Sequence, residues 1–454
     1  MTDTASSIDI ASLIDIENGR LSGKIFTDEE IYEQELEKVW KRAWVMLAHD
    51  SMIPRKGDFL QTYIGEDPVM VVRQKDGGVK AFLNQCRHRG MRICRVDKGT
   101  AKAFTCTFHG WAYDLAGDLI QVPRQDTAYP ETFERGRFGA VKVPRVQYYK
   151  GFWFGTWDED APDFEEYLGS AKYYLDGYID RWDGGMEQVA FHRWVLPNNW
   201  KFMAEQPTSD MQHSEITHVS AATVLNKGSD AADRTKRGTN PTGRQFFSDY
   251  GHGGAWYGEK GAEVPNTGQA MQRYEAQPEI AEMIARRLGD DREIRGHLNI
   301  WPTFMVLGNY TIRVTHPRGP HEMEVWAWTF VPKDAPEDIK DSIRRDVLRT
   351  FTPAGMFEAD DALNWEEMQH VLKGRVARDT GYLYQMVGAP IQWDEGCYPG
   401  GSSAHVFSDN AAINMYATYL DMMTSDSWEE LMEKRAQHRM GLAPVSAAGD
   451  RAEA

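Results

Sequence analysis

The chain has 454 residues, is 41% hydrophobic and 12% aromatic, and carries a formal net charge of −17. This is the composition of a globular protein with two or three domains' worth of buried core, and its acidic balance argues against a nucleic-acid surface, which needs basic patches. Four cysteines, Cys86, Cys94, Cys106 and Cys397, leave no disulfide framework and suit a reducing cytoplasm, and the lack of any apolar run of about eighteen residues predicts no membrane span.

The opening MTDTASSIDIASLIDIENG has neither a basic start nor a long apolar run, so it reads as a mobile leader and not as a secretory signal. Thr27 with Glu30 forms a capping box, and Tyr32, Leu36, Val39, Trp40, Ala43 and Trp44 follow at helical spacing, which predicts an amphipathic helix packed on something larger. From about Met46 to Val122 the pattern changes to short extended runs, FLQTYIG, PVMVVRQ, VKAFLNQ, KAFTCTFHG and LIQVP, separated by glycine-rich turns. They predict a small antiparallel β domain, and RFGAVKVPRVQYYKGFWFGTW looks like its closing strands.

Within this β region, Cys86 and His88 form a C-x-H pair and, after seventeen intervening residues, Cys106 and His109 form a C-x-x-H pair. Two thiolates can hold one iron of a [2Fe-2S] cluster while two imidazoles hold the other. The same four side chains could bind tetrahedral zinc in a non-enzymatic, zinc-stabilised binding protein, although zinc motifs usually pair like ligands at other spacings. Gly90 and Gly110 follow the two histidines closely, where a bare backbone lets N–H groups approach the cluster sulfurs. Cys94 reads as a small buried filler.

Beyond about Pro162, strand-like runs cover Gln188 to Val195, Ile216 to Val224, Asn299 to Leu307, Thr311 to Thr315 and Met323 to Val331, the last two joined by the turn HPRGPHE. The polar, glycine-rich stretch from Asn226 to Gly261 reads as a lid over a pocket, and the tail GLAPVSAAGDRAEA as disordered.

A second constellation, NNWKFMAEQPTSDMQHSEITH, brings Asp210, His213 and His218 into one short span. A non-haem Fe(II) site needs two histidines and one carboxylate, with positions left open for dioxygen. Five residues on a regular helix rotate by about 140°, so His213 and His218 face one metal only if the helix loosens or ends between them. The β-branched Ile216 and Thr217 suit such an ending, while two unrelated histidines remain the rival reading. Asp210 and His213 share a face, which suits Asp210 to hydrogen-bond the imidazole. Downstream, Thr352 as N-cap and Pro353 as first residue open a helix whose apolar face carries Phe357, Asp361, Asn364, Trp365, Met368 and Leu372. A carboxylate on such a face is costly unless paired or metal-bound. Asp361 is therefore the candidate third ligand and Asp360 is rotated off the stripe, with a buried Asp–Arg pair as the alternative.

The order C-x-H…C-x-x-H, then N-W-K…E-Q…D-x-x-H-x4-H, then F-E-x-D-D resembles the large (α) subunit of Rieske non-haem iron aromatic-ring-hydroxylating dioxygenases over nearly the whole chain. CRHRGMRICR, AKAFTC-x-x-HGWAYD and AEQ-x-x-SDM-x-H resemble the naphthalene and biphenyl dioxygenase branch in particular. The resemblance implies an α+β fold in which an all-β Rieske [2Fe-2S] domain (46–161) is inserted into a catalytic domain with a curved antiparallel sheet flanked by helices (162–440, with an N-terminal segment and helix at 1–45), followed by a disordered tail (441–454). It implies that Cys86, His88, Cys106 and His109 bind the cluster, that His213, His218 and Asp361 bind a mononuclear Fe(II), and that Asp210 links an iron histidine to His109 of a neighbouring subunit. Gln206, Met211, His297, Asn299, Leu307, Phe351 and Phe357 would line the substrate pocket.

By the same resemblance, the expected reaction is cis-dihydroxylation of an apolar or polycyclic arene with O2 and electrons from NADH, passed through a ferredoxin and/or reductase, in a trimeric ring with a small β subunit. A Rieske-type monooxygenase or demethylase is the alternative within the superfamily. No dinucleotide fingerprint occurs in strand-to-helix context, so NADH is not expected to bind this chain itself. Pro207, Gln212 and Phe108 depart from the family pattern, the first two at the pocket wall and the last beside the cluster, where a tyrosine hydroxyl is usual.

Overall fold

The computed structural model describes residues 8–225, 243–257, 269–289, 295–308, 311–388, 390–395 and 398–441. Its centre is a nine-stranded antiparallel sheet in the order Met186–Leu196, Met323–Pro332, Thr311–Pro317, Phe304–Val306, Arg295–Ile300, Gly253–Tyr257, Gly243–Phe247, Tyr398–Ser403 and Ile391–Glu395. HPRGPHE makes the expected hairpin, with Pro317 opposite Met323. The run from Asn299 to Leu307 is two strands and not one: the chain reverses at Trp301–Thr303 and Asn299 pairs with Met305, since Pro302 has no N–H to continue a ladder.

One face of this sheet receives the helix Trp200–Thr208, with Thr315 Oγ1 3.3 Å from Met203 Sδ and Asn299 Nδ2 donating to Ala204 O at 3.3 Å. The opposite face packs on a three-stranded sheet made of Arg145–Tyr149, Phe152–Thr156 and Val45–His49, where Phe152 meets Phe304 and Phe330, both at 5.5 Å between ring centroids. The expected closing strands of the β region thus form a sheet of their own, whose core is continuous with that of the large sheet.

The cluster-bearing region is a four-stranded antiparallel sheet (Val79–Leu83, Asp67–Arg73, Asp58–Ile64, Lys98–Thr100) and a three-stranded one (Leu119–Gln121, Ala112–Tyr113, Phe104–Thr105). It has a separate core built on Met70, Val72, Phe82, Phe104, Trp111 and Tyr113, to which Cys86 and Cys106 belong. Cys94 is buried there as expected, with no disulfide.

Several local expectations are corrected. From Ile8 onward the leader is anchored: Ile14–Asp15 pairs with Arg20–Leu21, which pairs in turn with Tyr382–Leu383, and Ile10, Ile14 and Leu21 are buried. The first helix is capped by Asp28, whose Oδ1 accepts from Glu30 N at 2.9 Å, because the Thr27 hydroxyl is directed to Gly23 O. After Glu35 it widens into a π turn over Leu36–Trp40. Thr352 likewise bonds back to Leu348 O at 3.0 Å, at the end of the preceding helix, and the helix that carries Asp361 starts at Met356 with Gly355 at its cap. Residues 216–224 are the end of one short helix, a turn at Thr217–His218 and a second helix, Val219–Leu225, and not a strand, because Ala221 and Ala222 pack inward and tertiary contacts override the β-branched composition. Of the stretch read as a lid, 243–257 forms a hairpin inside the large sheet with Gln245 and Phe247 buried, while 226–242 and 258–261 lie outside the described residues. Residues 1–7 and 442–454 also lie outside them. Among the described residues no helix is long and apolar enough to cross a membrane.

Candidate metal centres and active site

The two cysteine–histidine loops share one backbone design. In the first, Cys86 N donates to Met91 O at 2.8 Å and Gly90 N to Cys86 O at 2.9 Å; in the second, Cys106 N donates to Trp111 O at 2.8 Å and Gly110 N to Cys106 O at 3.0 Å. Gly90 and Gly110 have φ of 75° and 77°, a conformation that favours glycine. Their N–H groups therefore close the loops and do not point at the sulfurs as expected. Both cysteines are buried, and burial pushes the Cys86 thiol up. The imidazoles of His88 and His109 lie 4.5 Å apart between centroids, and Trp111 stacks on His88 at 5.0 Å and 12°. His88 Nδ1 is buried with no hydrogen-bond partner, a costly arrangement that a metal bond would relieve. Two sulfurs and two ring nitrogens converging from two closed loops fit a [2Fe-2S] cluster.

The second centre is built where a helix ends. His213–Ile216 stops at Thr217 and the chain resumes as Val219–Leu225, which is the break between the histidines that the five-residue spacing demanded. The ligand atoms of His213, His218 and Asp361 all lie within 4.8 Å of one another. Asp361, on Met356–Val371, has Oδ1 3.3 Å from His213 Nε2 and 3.2 Å from His218 Nε2. Each imidazole is backed at Nδ1, His213 by the Asp210 carbonyl with Asp210 Oδ2 at 3.4 Å, and His218 by Asp360 Oδ2 at 3.3 Å. Such partners keep the proton on Nδ1 and aim the Nε2 lone pair at a metal.

Burial opposes a charge on His213, yet the carboxylates of Asp210 and Asp361 outweigh it and push the imidazole up to about 10. Burial would raise Asp361 as well, but the two histidines hold it well below the usual carboxylate range. Both Asp361 oxygens are buried without a well-formed hydrogen bond. A site that favours positive charge and keeps two nitrogens and one carboxylate convergent suits a non-haem iron with open positions.

The remaining candidate residues divide. Leu307, Phe351 and Phe357 form one apolar cluster with Ala221, and Phe357 packs on the His218 ring at 4.6 Å. His297 faces Phe351 at 6.2 Å, and burial, then the nearby His213, push its imidazole down to about 3. Gln206 Nε2 is 3.1 Å from His213 Nε2, at the metal-facing nitrogen. Met211 falls in a different cluster with Ala255 and Val406. Asn299 is a brace, donating to Ala204 O and Pro302 O.

Three features went unread in the sequence. Arg313 and Glu358 form a buried ion pair one helical turn from Asp361, with the guanidinium near the Phe351 ring. Glu205 Oε2 accepts from Tyr384 at 2.8 Å and Tyr416 at 2.6 Å, and burial, opposed by those bonds, pushes its carboxyl up to about 7. Tyr113 donates to Cys86 Sγ at 3.3 Å. The partners in the first two pairs lie far apart in sequence, so no local spacing announced them.

Residues 164–424 match the family described as ring hydroxylating alpha subunit (catalytic domain), and residues 43–145 match the Rieske [2Fe-2S] domain. The chain belongs to the ring-hydroxylating α-subunit family. This Rieske non-haem iron α subunit is 45% identical to biphenyl 2,3-dioxygenase subunit alpha of Rhodococcus jostii over 93% of each chain. It is 44% identical to benzene 1,2-dioxygenase subunit alpha of Pseudomonas putida, over 94% of this chain and 96% of that one. Naphthalene 1,2-dioxygenase with indole bound in its active site superposes with a TM-score of 0.89 at 30% identity, covering 96% of this chain and 98% of that one. A quaternary ammonium Rieske monooxygenase shares the fold, with a TM-score of 0.63 at 19% identity over 89% of this chain and 95% of that one. The α+β architecture, the cluster and the non-haem iron expected from the motifs are thus those of the family, and zinc is set aside.

Proposed function

We propose that this α subunit cis-dihydroxylates an apolar arene in the size range of benzene to biphenyl, as the terminal oxygenase of aromatic-compound degradation. The observation that carries the reading is the contact between Phe357 and His218: an apolar wall of Leu307, Phe351 and Phe357 rests directly on a candidate iron ligand. Such walls suit a flat hydrocarbon. In this reading Cys86, His88, Cys106 and His109 hold the cluster, and His213, His218 and Asp361 hold the iron. When bound, the cluster supplies electrons one at a time and the iron supplies the open positions at which dioxygen is activated.

The chain's own residues orient and exclude. Phe351 and Phe357 hold the arene edge against the site, His297 stays neutral beside them, and Gln206 places an amide at the iron-facing nitrogen of His213. Asp210, whose side chain is 47% exposed, would carry contact to His109 of a neighbouring subunit. A trimeric ring, a small β subunit and a ferredoxin and/or reductase complete the assembly, in the cytoplasm. The balance is arene plus O2 plus NADH and a proton giving a cis-dihydrodiol and NAD+.

The test is turnover of benzene, naphthalene and biphenyl under 18O2 with a reductase and ferredoxin supplied. A cis-dihydrodiol with both oxygens labelled is expected. A singly labelled phenol, or activity confined to demethylation, would move the assignment to the monooxygenase branch.

A further inference from the structure

Arg313 carries a charge into the apolar wall. Side chains alternate along the strand Thr311–Pro317: Ile312 and Val314 enter the core of the large sheet, which turns Arg313 to the other face, toward the link between two helices. That link runs from Phe351, just past the helix Glu337–Thr350, to Gly355, just before Met356–Val371. The guanidinium touches both its start and the helix beyond it. Its Nη2 donates to the Glu358 carboxylate and lies 3.4 Å from Phe351 O, and its carbon sits 5.3 Å from the centre of the Phe351 ring. Trp194, from the strand Met186–Leu196, stands 5.7 Å away. Arg313 and Glu358 are each 1% exposed, and Arg313 Nε and Glu358 Oε1 have no hydrogen-bond partner among the described residues.

Stability alone does not account for such a pair. Two ions taken out of water lose their hydration, and apolar residues of similar volume often serve the fold as well or better. What an apolar pair lacks is a planar fork that holds a carboxylate, a backbone carbonyl and an aromatic face at once. We propose that Arg313, held by Glu358, is a positioning residue that fixes Phe351 in the pocket and so sets which carbons of the arene face the metal site. The inference rests on the proposed function and adds to it the group that controls where on the arene the oxygens are placed. The Phe351 ring lies 5.5 Å from that of Phe357, which packs on His218. A shift of Phe351 therefore moves the wall against which the arene lies relative to the metal site, while the pair itself touches no reacting atom.

The experiment measures the ratio of regioisomeric cis-dihydrodiols formed from naphthalene or biphenyl by the full holoenzyme with ferredoxin and reductase, together with its iron content. Arg313→Lys keeps the charge and loses the fork. Arg313→Met combined with Glu358→Leu removes both charges in an apolar exchange of similar size, which is expected to fold at least as well and decides the matter if the lysine variant fails to load iron. In both, the ratio is expected to move by about threefold or more, with iron per chain retained. In a Phe351→Ala background the same substitutions are expected to leave the ratio unmoved, because the ring they act through is gone. An unmoved ratio in either iron-loaded variant, whatever its denaturation midpoint, or an equal shift with and without the Phe351 ring, overturns the positioning role and leaves cis-dihydroxylation standing. A wild-type enzyme that forms no cis-dihydrodiol overturns both.

Discussion

Asp360 Oδ2 lies 3.3 Å from His218 Nδ1, while the next residue, Asp361, faces the Nε2 atom of the same ring. Adjacent positions on a helix are about 100° apart, so one helix grips both sides of a single imidazole. Asp360→Asn should weaken iron binding by about 10- to 100-fold and leave the cluster content unchanged, as measured by iron analysis after graded chelation. Equal retention of iron in variant and wild type would remove Asp360 from the metal site.

Asp361→Ala should lower the iron content from about three to about two per chain while the cluster spectrum persists. The two candidate centres share no residue, and the apolar residues beside them fall in separate clusters, Cys86 and Cys106 in one and Ala221 and Phe357 in another, so loss of both together would contradict this arrangement.

Asp210→Asn should retain both metals and slow coupled turnover by about 10- to 100-fold, since the carboxylate near His213 Nδ1 loses its charge while the backbone carbonyl still holds the ring. Normal product formation per electron delivered would exclude a role for this carboxylate in electron transfer.

Glu358→Ala leaves Arg313 buried without its counter-charge. Breaking a pair of this kind costs about 3–5 kcal/mol, which should appear as a lower denaturation midpoint in guanidinium. The shape-preserving Glu358→Gln should lose less.

Glu205 gives stability a pH slope. Its folded carboxyl is pushed from 4.5 up to about 7, so the folded state holds a proton that the unfolded state releases. Stability from this group is full below the unfolded value and declines as pH rises through 7, by up to roughly 3 kcal/mol. In Glu205→Gln that decline should vanish, so the variant gains on the wild type between pH 5 and about 8 in paired denaturation curves. Parallel curves would rule the effect out.

Legibility in the sequence followed the distance over which each feature is determined. The two cysteine–histidine pairs and the break after Ile216 are local, and Asp361 stood out as a carboxylate on an apolar stripe; the structure puts the pairs in two like loops, ends a helix at Ile216 and brings Asp361 to both histidines. Caps were misplaced because Thr27 and Thr352 bond backward, to Gly23 O and Leu348 O, and not forward into the helices they precede. Asp360, Arg313 and Glu205 could not be assigned, since their partners come from other elements of the fold. The pocket residues named by resemblance separated for the same reason: Leu307, Phe351 and Phe357 meet only once the large sheet and the ligand helix are packed together, whereas Met211 and Asn299 turn to other neighbours.

The strand that joins Arg20 to Leu383 also orders events on the ribosome. The catalytic core cannot close until the chain past residue 383 has emerged, whereas both cysteine–histidine loops are complete by residue 111. Domains generally fold as units during synthesis, the earlier ones first. The nascent chain therefore offers both cysteine–histidine loops long before Asp361 has been translated, and, if the proposed ligand sets hold, ribosome-bound chains halted after Ala140 has emerged and before Asp361 should acquire cluster colour without the third iron. In that order of emergence the cysteine–histidine site is complete first and the site of His213, His218 and Asp361 last.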